Sequence, residues 1–309
     1  MSSFSFNFSD FVFVWWGLLF EAIPFVVVGS LISGIVERFL SRQTVARLFP
    51  RRRSIGIAAS GCLGLLLPMC ECGVVPVVRR LILKGVPPSC AVAYLLASPI
   101  VNPLVIASTA VAFYAQHGWM MVVLRVGLGY GVAVLVAAAV WWMLGDAHIL
   151  RGNEVAPPDQ TVSPRRGGWL GDVLAVAAGE FIVVGGTLAI GAAIAALINS
   201  GFSREAMLPL AENRLVAVPG MMLLAVALNL CSEADAFVAA SFYAFPIAAQ
   251  LAFLVMGPMV DIKLMLVYTA VFRTRVVLLI LGTATLLILG ACLASPWWMP
   301  LLFAAGHVY

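Results

Sequence analysis

Two thiols bracket a carboxylate in the string Pro68-Met-Cys70-Glu71-Cys72-Gly73-Val-Val-Pro76, so Cys70, Glu71 and Cys72 offer a soft ligand pair with a negative charge between them. Thiolates select Cu(I), Zn(II) or trivalent arsenic over hard ions, and an adjacent carboxylate neutralises added charge. On a helix, at about 100° per residue, side chains two apart diverge, whereas in an extended turn they face the same way. The prolines and the glycine are expected to break the helix here and let the two thiols converge; Cys70 and Cys72 are therefore the candidate metal ligands. Related chemistry recurs later in the chain at Cys231, Glu233 and Asp235. The competing reading is that cysteines are small apolar residues that pack well in a hydrophobic interior. That reading is adopted for Cys62, Cys90 and Cys292.

Two further strings carry polar groups at helix-breaking spacings. Ser98-Pro99-x-x-Asn102-Pro103 and Gly257-Pro-x-x-Asp261 each predict an unwound turn inside an apolar segment. Such a turn exposes carbonyls to a solute, or is simply a packing kink. Ser98, Pro99, Asn102 and Asp261 join the candidate substrate contacts. Glu21 and Glu180 stand at similar depths in two long apolar stretches. A buried acid needs a partner, a water-filled cavity or a role. These two are candidate coupling residues for a proton or cation, the alternative being a structural role, in pairing with Arg125 or Lys263 or in capping a freed backbone N–H. His117, His148 and His307 fall in loops or at the terminus and read as solvent-facing.

These residues must be positioned by elements that lie in a bilayer. Of 309 residues, 63% are hydrophobic and 10% charged, and the mean hydropathy is +1.06. Soluble domains carry about 25% charged residues, so soluble enzymes, nucleic-acid binders and disulfide-framed secreted scaffolds are excluded. The net charge of +4 arises from short basic clusters between apolar runs, which is how topology is encoded. The first ten residues lack Lys and Arg, so the basic start of a cleavable signal is missing and the N-terminus is expected to be retained.

A spanning helix needs about 20 apolar residues. Stretches 11–36, 88–113, 119–144, 173–199 and 276–294 meet that length, and a sixth covers 246–272. Stretches 54–83 and 215–245 are too long for one span and have a polar break near the middle. Arg38, Arg42, Arg47 and Arg51 to Arg53 precede the first of them, and Arg79, Arg80 and Lys84 follow it. If both flanks are cytoplasmic, the segment enters and leaves on one side, as a re-entrant hairpin. This path places 14 of the 18 basic residues inside, Arg204 and Arg214 outside, and Arg125 and Lys263 within the membrane.

The same path gives the two halves opposite orientation. Ser98-Pro-Ile-Val-Asn102 aligns with Gly257-Pro-Met-Val-Asp261, Glu21 with Glu180, and Leu-Pro-Met-Cys70 with Leu-Asn-Leu-Cys231. The expected fold is therefore all-α integral membrane, with about 8–10 hydrophobic segments in two inverted-topology repeats, 1–144 and 172–309, each with a re-entrant hairpin and a Pro-broken helix. A polar cytoplasmic linker, 145–171, joins them, and 37–53 reads as an interfacial helix on anionic lipid. Inverted repeats with broken helices at their interface are the design of alternating-access transporters.

The run Leu-Leu-Pro-Met-Cys-Glu-Cys-Gly-Val-Val-Pro-Val-Val-Arg-Arg, together with Ser-Pro-Ile-Val-Asn-Pro, resembles the predicted permeases of the YraQ and ArsP type, in their Cys-Glu-Cys subtype. The resemblance extends over nearly the whole chain. It implies a multi-pass protein of the bacterial inner membrane that exports trivalent organoarsenicals, copper or zinc, in some cases beside a smaller membrane subunit. It places function on Cys70, Glu71, Cys72, Pro99 and Asn102. The second half departs from it in having Cys231 alone where a cysteine pair would make the pattern symmetric.

Three function classes follow. The first is a secondary transporter for a soft metal, metalloid or thiophilic solute, with no ATP-binding Gly-x-x-x-x-Gly-Lys-Ser/Thr loop and no cofactor. The second is an intramembrane thiol redox enzyme, disfavoured because the spacing is Cys-x-Cys and no second close pair exists to receive electrons. The third is a non-transporting subunit of a two-component complex. A hydrolase lacks its motifs, and nucleic acid is not an expected partner.

Overall fold

A computed structural model describes residues 8–39, 52–67, 69–116, 118–145, 150, 168–199 and 213–298. Helix α1 (Phe8–Phe39) is followed by the short pair α2 (Arg53–Leu66) and α3 (Glu71–Leu83), and then by a second short pair, α4 (Pro88–Ala97) and α5 (Pro103–Ala112). A turn at Tyr114–Gln116 leads into α6 (Gly118–Leu144). The order then recurs: α7 (Gly168–Asn199), the pair α8 (Arg214–Leu228) and α9 (Ala234–Ser241), the pair α10 (Ile247–Met256) and α11 (Ile262–Val271), and α12 (Thr274–Leu293). Among the described residues the only extended pairing is an isolated bridge between Leu150 and Phe272. Most of 37–53, most of the linker 145–171, the loop 200–212, Pro68 and the three histidines lie outside the described residues.

Among the described residues four helices are long and apolar enough to cross a membrane: Phe11–Phe39, Gly118–Leu144, Trp169–Leu197 and Thr274–Leu293. In the most apolar windows of the first and third, only 17% and 28% of residues are buried by the protein itself. Their remaining apolar surface requires hydrocarbon as its solvent. The chain is an all-α, multi-pass membrane protein.

The breaks fall where the polar punctuation stands. Pro103 occupies the first turn of α5, where its missing N–H costs nothing, and Asn102 accepts from the Leu104 N–H at 2.9 Å. Asp261 caps α11 in the same way, accepting from Leu264 N at 2.6 Å. The first break differs from expectation. It occupies 67–70, so Cys72, Gly73 and Pro76 lie inside α3, with Cys70 as the extended residue that precedes it.

Gly73 has a packing role. A Cβ there would lie 2.7 Å from the Phe25 carbonyl oxygen, and one on Gly29 would run into the Gly73 backbone, so α1 and α3 cross at two glycines. Pro76 lies inside α3, where it leaves the Cys72 carbonyl without its helical N–H partner.

Each segment with a polar break turns back on itself. Arg53 and Ser60 flank Cys90 and Gly64 lies against Ser98, so α2 runs alongside α4 in the same direction. Helix α3 then returns to the start of α4 through 84–87, which brings both ends of 53–83 to one level. The second half behaves alike. Asp235 lies against Gly257 and Gln250 donates to the Phe242 carbonyl, so α9 runs antiparallel to α10. Helix α2 packs on α4 as α8 packs on α10, and α3 meets α11 as α5 meets α9.

The two long leading helices pack against each other with opposite direction. Trp15 Nε1 donates to the Ala189 carbonyl at 3.2 Å, Gly34 lies against Val173, and Phe39 stacks edge-on with Trp169. Gly73→Val forces the α1–α3 crossing apart. The expected outcome is a loss of about 2 kcal/mol or more of stability, read as a lower thermal midpoint in detergent, whereas Gly17→Val, at an open position, leaves the midpoint unchanged.

Candidate functional site

The two breaks 67–70 and 229–233 meet in the interior, and their polar groups form one cluster with those of α11. Lys263 is 4% exposed and its Nζ lies 3.3 Å from Glu71 Oε1 and 3.3 Å from Asp261 Oδ2. It also donates to the carbonyls of Asn229 and Leu230, each at 3.3 Å. Asn229 closes α8 in the left-handed conformation, with φ 54°. Asn adopts that region more readily than most residues. With its nitrogen turned toward the acid, the Asn229 carboxamide donates to both oxygens of Asp261, at 2.9 and 3.1 Å.

The other acids are arranged around this core. Ser232 Oγ donates to Glu71 Oε2 at 3.1 Å, and the Cys231 thiol donates to Glu233 Oε2 at 3.0 Å. Asp235 is buried in the first turn of α9, its Oδ2 packed against Gly257, where a Cβ would lie 2.5 Å away. Arg125, 1% exposed, reaches in from α6. Its guanidinium donates to Thr109 Oγ1 at 2.8 Å and to the Ser232 carbonyl at 2.9 Å.

Why acids tolerate this place follows from the helix ends. Glu71, Asp235 and Asp261 sit at the N-termini of α3, α9 and α11, where unsatisfied N–H groups and the macrodipole favour negative charge. Lys263 binds the carbonyls at the C-terminal end of α8, where the opposite holds.

Three thiols are neighbours here, Cys70 and Cys231 in the two breaks and Cys72 in the first turn of α3, since Cys70 interacts with both of the others. All six cysteines are free, and of these Cys62 is exposed whereas Cys90 and Cys292 are buried. Among the described residues no group of three His, Cys, Asp or Glu side chains is already arranged to hold a metal ion. Ligation at the thiols therefore requires them to close further around a solute.

The remaining expected site residues separate. Glu21 is half-buried and reaches the edge of the cluster, with Cys231, Lys263, Glu71 and Glu233 around it. Glu180 does not. Instead of Arg125 or Lys263 it takes Arg79 and Arg80, each within 3.0 Å of its Oε1, and Arg80 with Lys84 also binds Glu37 at 3.3 and 3.0 Å. This network ties α1, α3 and α7 together at the end of the molecule away from the breaks. Ser98 packs against Gly64, and Asn102 uses its side-chain oxygen to cap α5; Pro99 lies in the turn between α4 and α5.

Lys263, Asn229, Ser232, Arg125 and Thr109 were not among the expected site residues. A signal for Lys263 and Arg125 does exist in the sequence, since a lone cation within an apolar helix must find acid or carbonyl partners. Nothing marks Ser232 or Thr109 apart from ordinary packing hydroxyls.

Comparison with known proteins gives two curated bacterial relatives. The chain is 37% identical over 280 residues to the UPF0718 protein YcgR of Bacillus subtilis strain 168, covering 89% of this chain and 93% of the relative. It is 35% identical over 281 residues to a putative two-component membrane permease complex subunit of Streptococcus mutans serotype c, covering 89% and 91%. No solved structure matches it. The predicted permease family ArsP_1 matches residues 8–295, which points to a transporter rather than an enzyme. A multi-pass bundle with interior helix breaks, matched over almost its full length, belongs to that predicted permease family.

Proposed function

We propose that this permease is a secondary transporter that exports a soft metal ion, a metalloid or a small thiophilic solute across the bacterial inner membrane. The observation that carries this reading is the meeting of Cys70, Cys72 and Cys231 where two broken hairpins touch. Sulfur donors supplied by both halves suit a soft ion, which loses hydration on entering the membrane and regains coordination from thiolates. Glu71 and Glu233 beside them compensate its charge.

In this reading residues 1–144 and 172–309 are inverted repeats and their interface is the transport site. Three observations support it: the recurrent element order, the opposed directions of α1 and α7, and the matching pairs α3 with α11 and α5 with α9. Glu21, beside the cluster, is the coupling residue. Glu180, with its two arginines, belongs to a charged lock that holds one end of the pathway shut.

A second reading, one subunit of a two-component complex, is favoured by an asymmetry. The α1–α7 pair packs on α3 and α11, but among the described residues no equivalent pair packs on α5 and α9. Leu104, Val111 and Phe237 are exposed there. One of the two relatives is itself named a putative two-component complex subunit.

The test is binding of Zn(II), Cu(I) and a trivalent arsenical to purified chain. Cys70→Ser, Cys72→Ser and Cys231→Ser each replace a soft donor by a hard, protonated one, and each is expected to weaken binding of the true substrate by about tenfold or more. Cys292→Ser leaves it unchanged. Equal binding by all four variants and the parent returns the thiols to packing. In flux assays Glu21→Gln slows transport severalfold with the fold intact. Glu180→Gln instead lowers stability by about 2 kcal/mol, seen as a lower thermal midpoint, because two arginines lose their shared acid.

A further inference from the structure

The surroundings of Lys263 have a feature that the transport reading does not use. Four oxygens face its ammonium: Glu71 Oε1, Asp261 Oδ2 and the carbonyls of Asn229 and Leu230. All four lie at 3.3 Å, longer than the 2.7–2.9 Å typical of a charge-assisted hydrogen bond. The ammonium sits amid the oxygens rather than against any one of them. Two carboxylates and two carbonyls are hard donors, the set that selects alkali and alkaline-earth cations over soft metals.

The oxygens are held in place independently of the lysine. Asp261 is fixed by the Leu264 N–H and the Asn229 carboxamide. Glu71 is held through its other oxygen by Ser232, so that Oε1 has no hydrogen bond and faces the lysine alone, at 1% exposure of the residue. The two carbonyls are turned inward by the left-handed Asn229 at the end of α8. A cage this preorganised persists when its occupant is removed.

We propose that these four oxygens form a monovalent cation site and that Lys263 fills it as a tethered ion. The parent chain then needs no inorganic cation at this position. A chain lacking the ammonium, with the cage intact, binds sodium or potassium in its place, because one positive charge is missing and four hard oxygens converge on the vacancy. The inference concerns hard-ion binding and is independent of which soft solute the thiols take, so failure of either leaves the other standing.

The experiment is thermal unfolding of the purified full-length chain in detergent, followed by tryptophan fluorescence, in sodium, potassium or choline chloride at equal ionic strength. For Lys263→Ala the midpoint in sodium or potassium is expected to exceed that in choline by about 5 °C or more, rising with ion concentration as ligand linkage requires. The parent gives one midpoint in all three salts. Adding Glu71→Gln to Lys263→Ala removes one carboxylate and abolishes the response, while the amide keeps the side chain's size. Four results overturn the proposal: Lys263→Ala indifferent to the cation, the parent equally responsive, calcium stabilising the variant where sodium and potassium do not, or the variant failing to fold in every salt.

Discussion

A charge inside a hydrocarbon-facing bundle survives only where oppositely charged or dipolar groups are already fixed, and the architecture is organised around that requirement. Lys263, Arg125, Glu71, Asp235 and Asp261 are all buried. A continuous helix offers them nothing, because its carbonyls and N–H groups are consumed by its own ladder. Interrupting a helix releases carbonyls on one side of the break and N–H groups on the other. Here α8 supplies carbonyls to Lys263, and the starts of α3, α9 and α11 receive acids. The breaks and the charges require each other. Removing the charges leaves orphaned backbone groups, and closing the breaks leaves unpaired ions.

The same requirement explains what the long helices do. α1 and α7, tied by close glycine and aromatic contacts, shield α3 and α11 from lipid and carry Glu37 and Glu180 to the basic end of α3. Arg79, Arg80 and Lys84, a topological flank in the sequence, are thus also ion-paired in the structure. The cluster expected to set orientation also fastens one end of the bundle.

Much of this was legible from residue types. Pro103 after Asn102 and Pro258 after Gly257 marked the breaks of α4–α5 and α10–α11, because proline and a side-chain cap specify helix starts locally. The turning back of 54–83 followed from like charge on both its flanks, and that of 215–245 from a polar break in a stretch too long for one span. The exact break at 67–70 did not, since a proline and a glycine within one turn of a helix start can belong to either side, and packing against Gly29 decided that Gly73 is helical. The partner of Glu180 was equally hidden. Its choice of Arg79 and Arg80 depends on how α3 leans against α7, a tertiary fact with no local signature. Cys231, expected at the tip of the second hairpin as the counterpart of Cys70, lies beside it because the two breaks touch.

The central claim is that this chain alone carries a thiophilic solute through the point where the breaks meet. The most direct measurement is flux of trivalent arsenic, Zn(II) and Cu(I) into or out of proteoliposomes that contain the chain as their only protein. The account predicts saturable flux of at least one of these above protein-free vesicles, abolished by a small membrane-permeant thiol reagent. Folded, inserted protein with no flux of any of the three would contradict it.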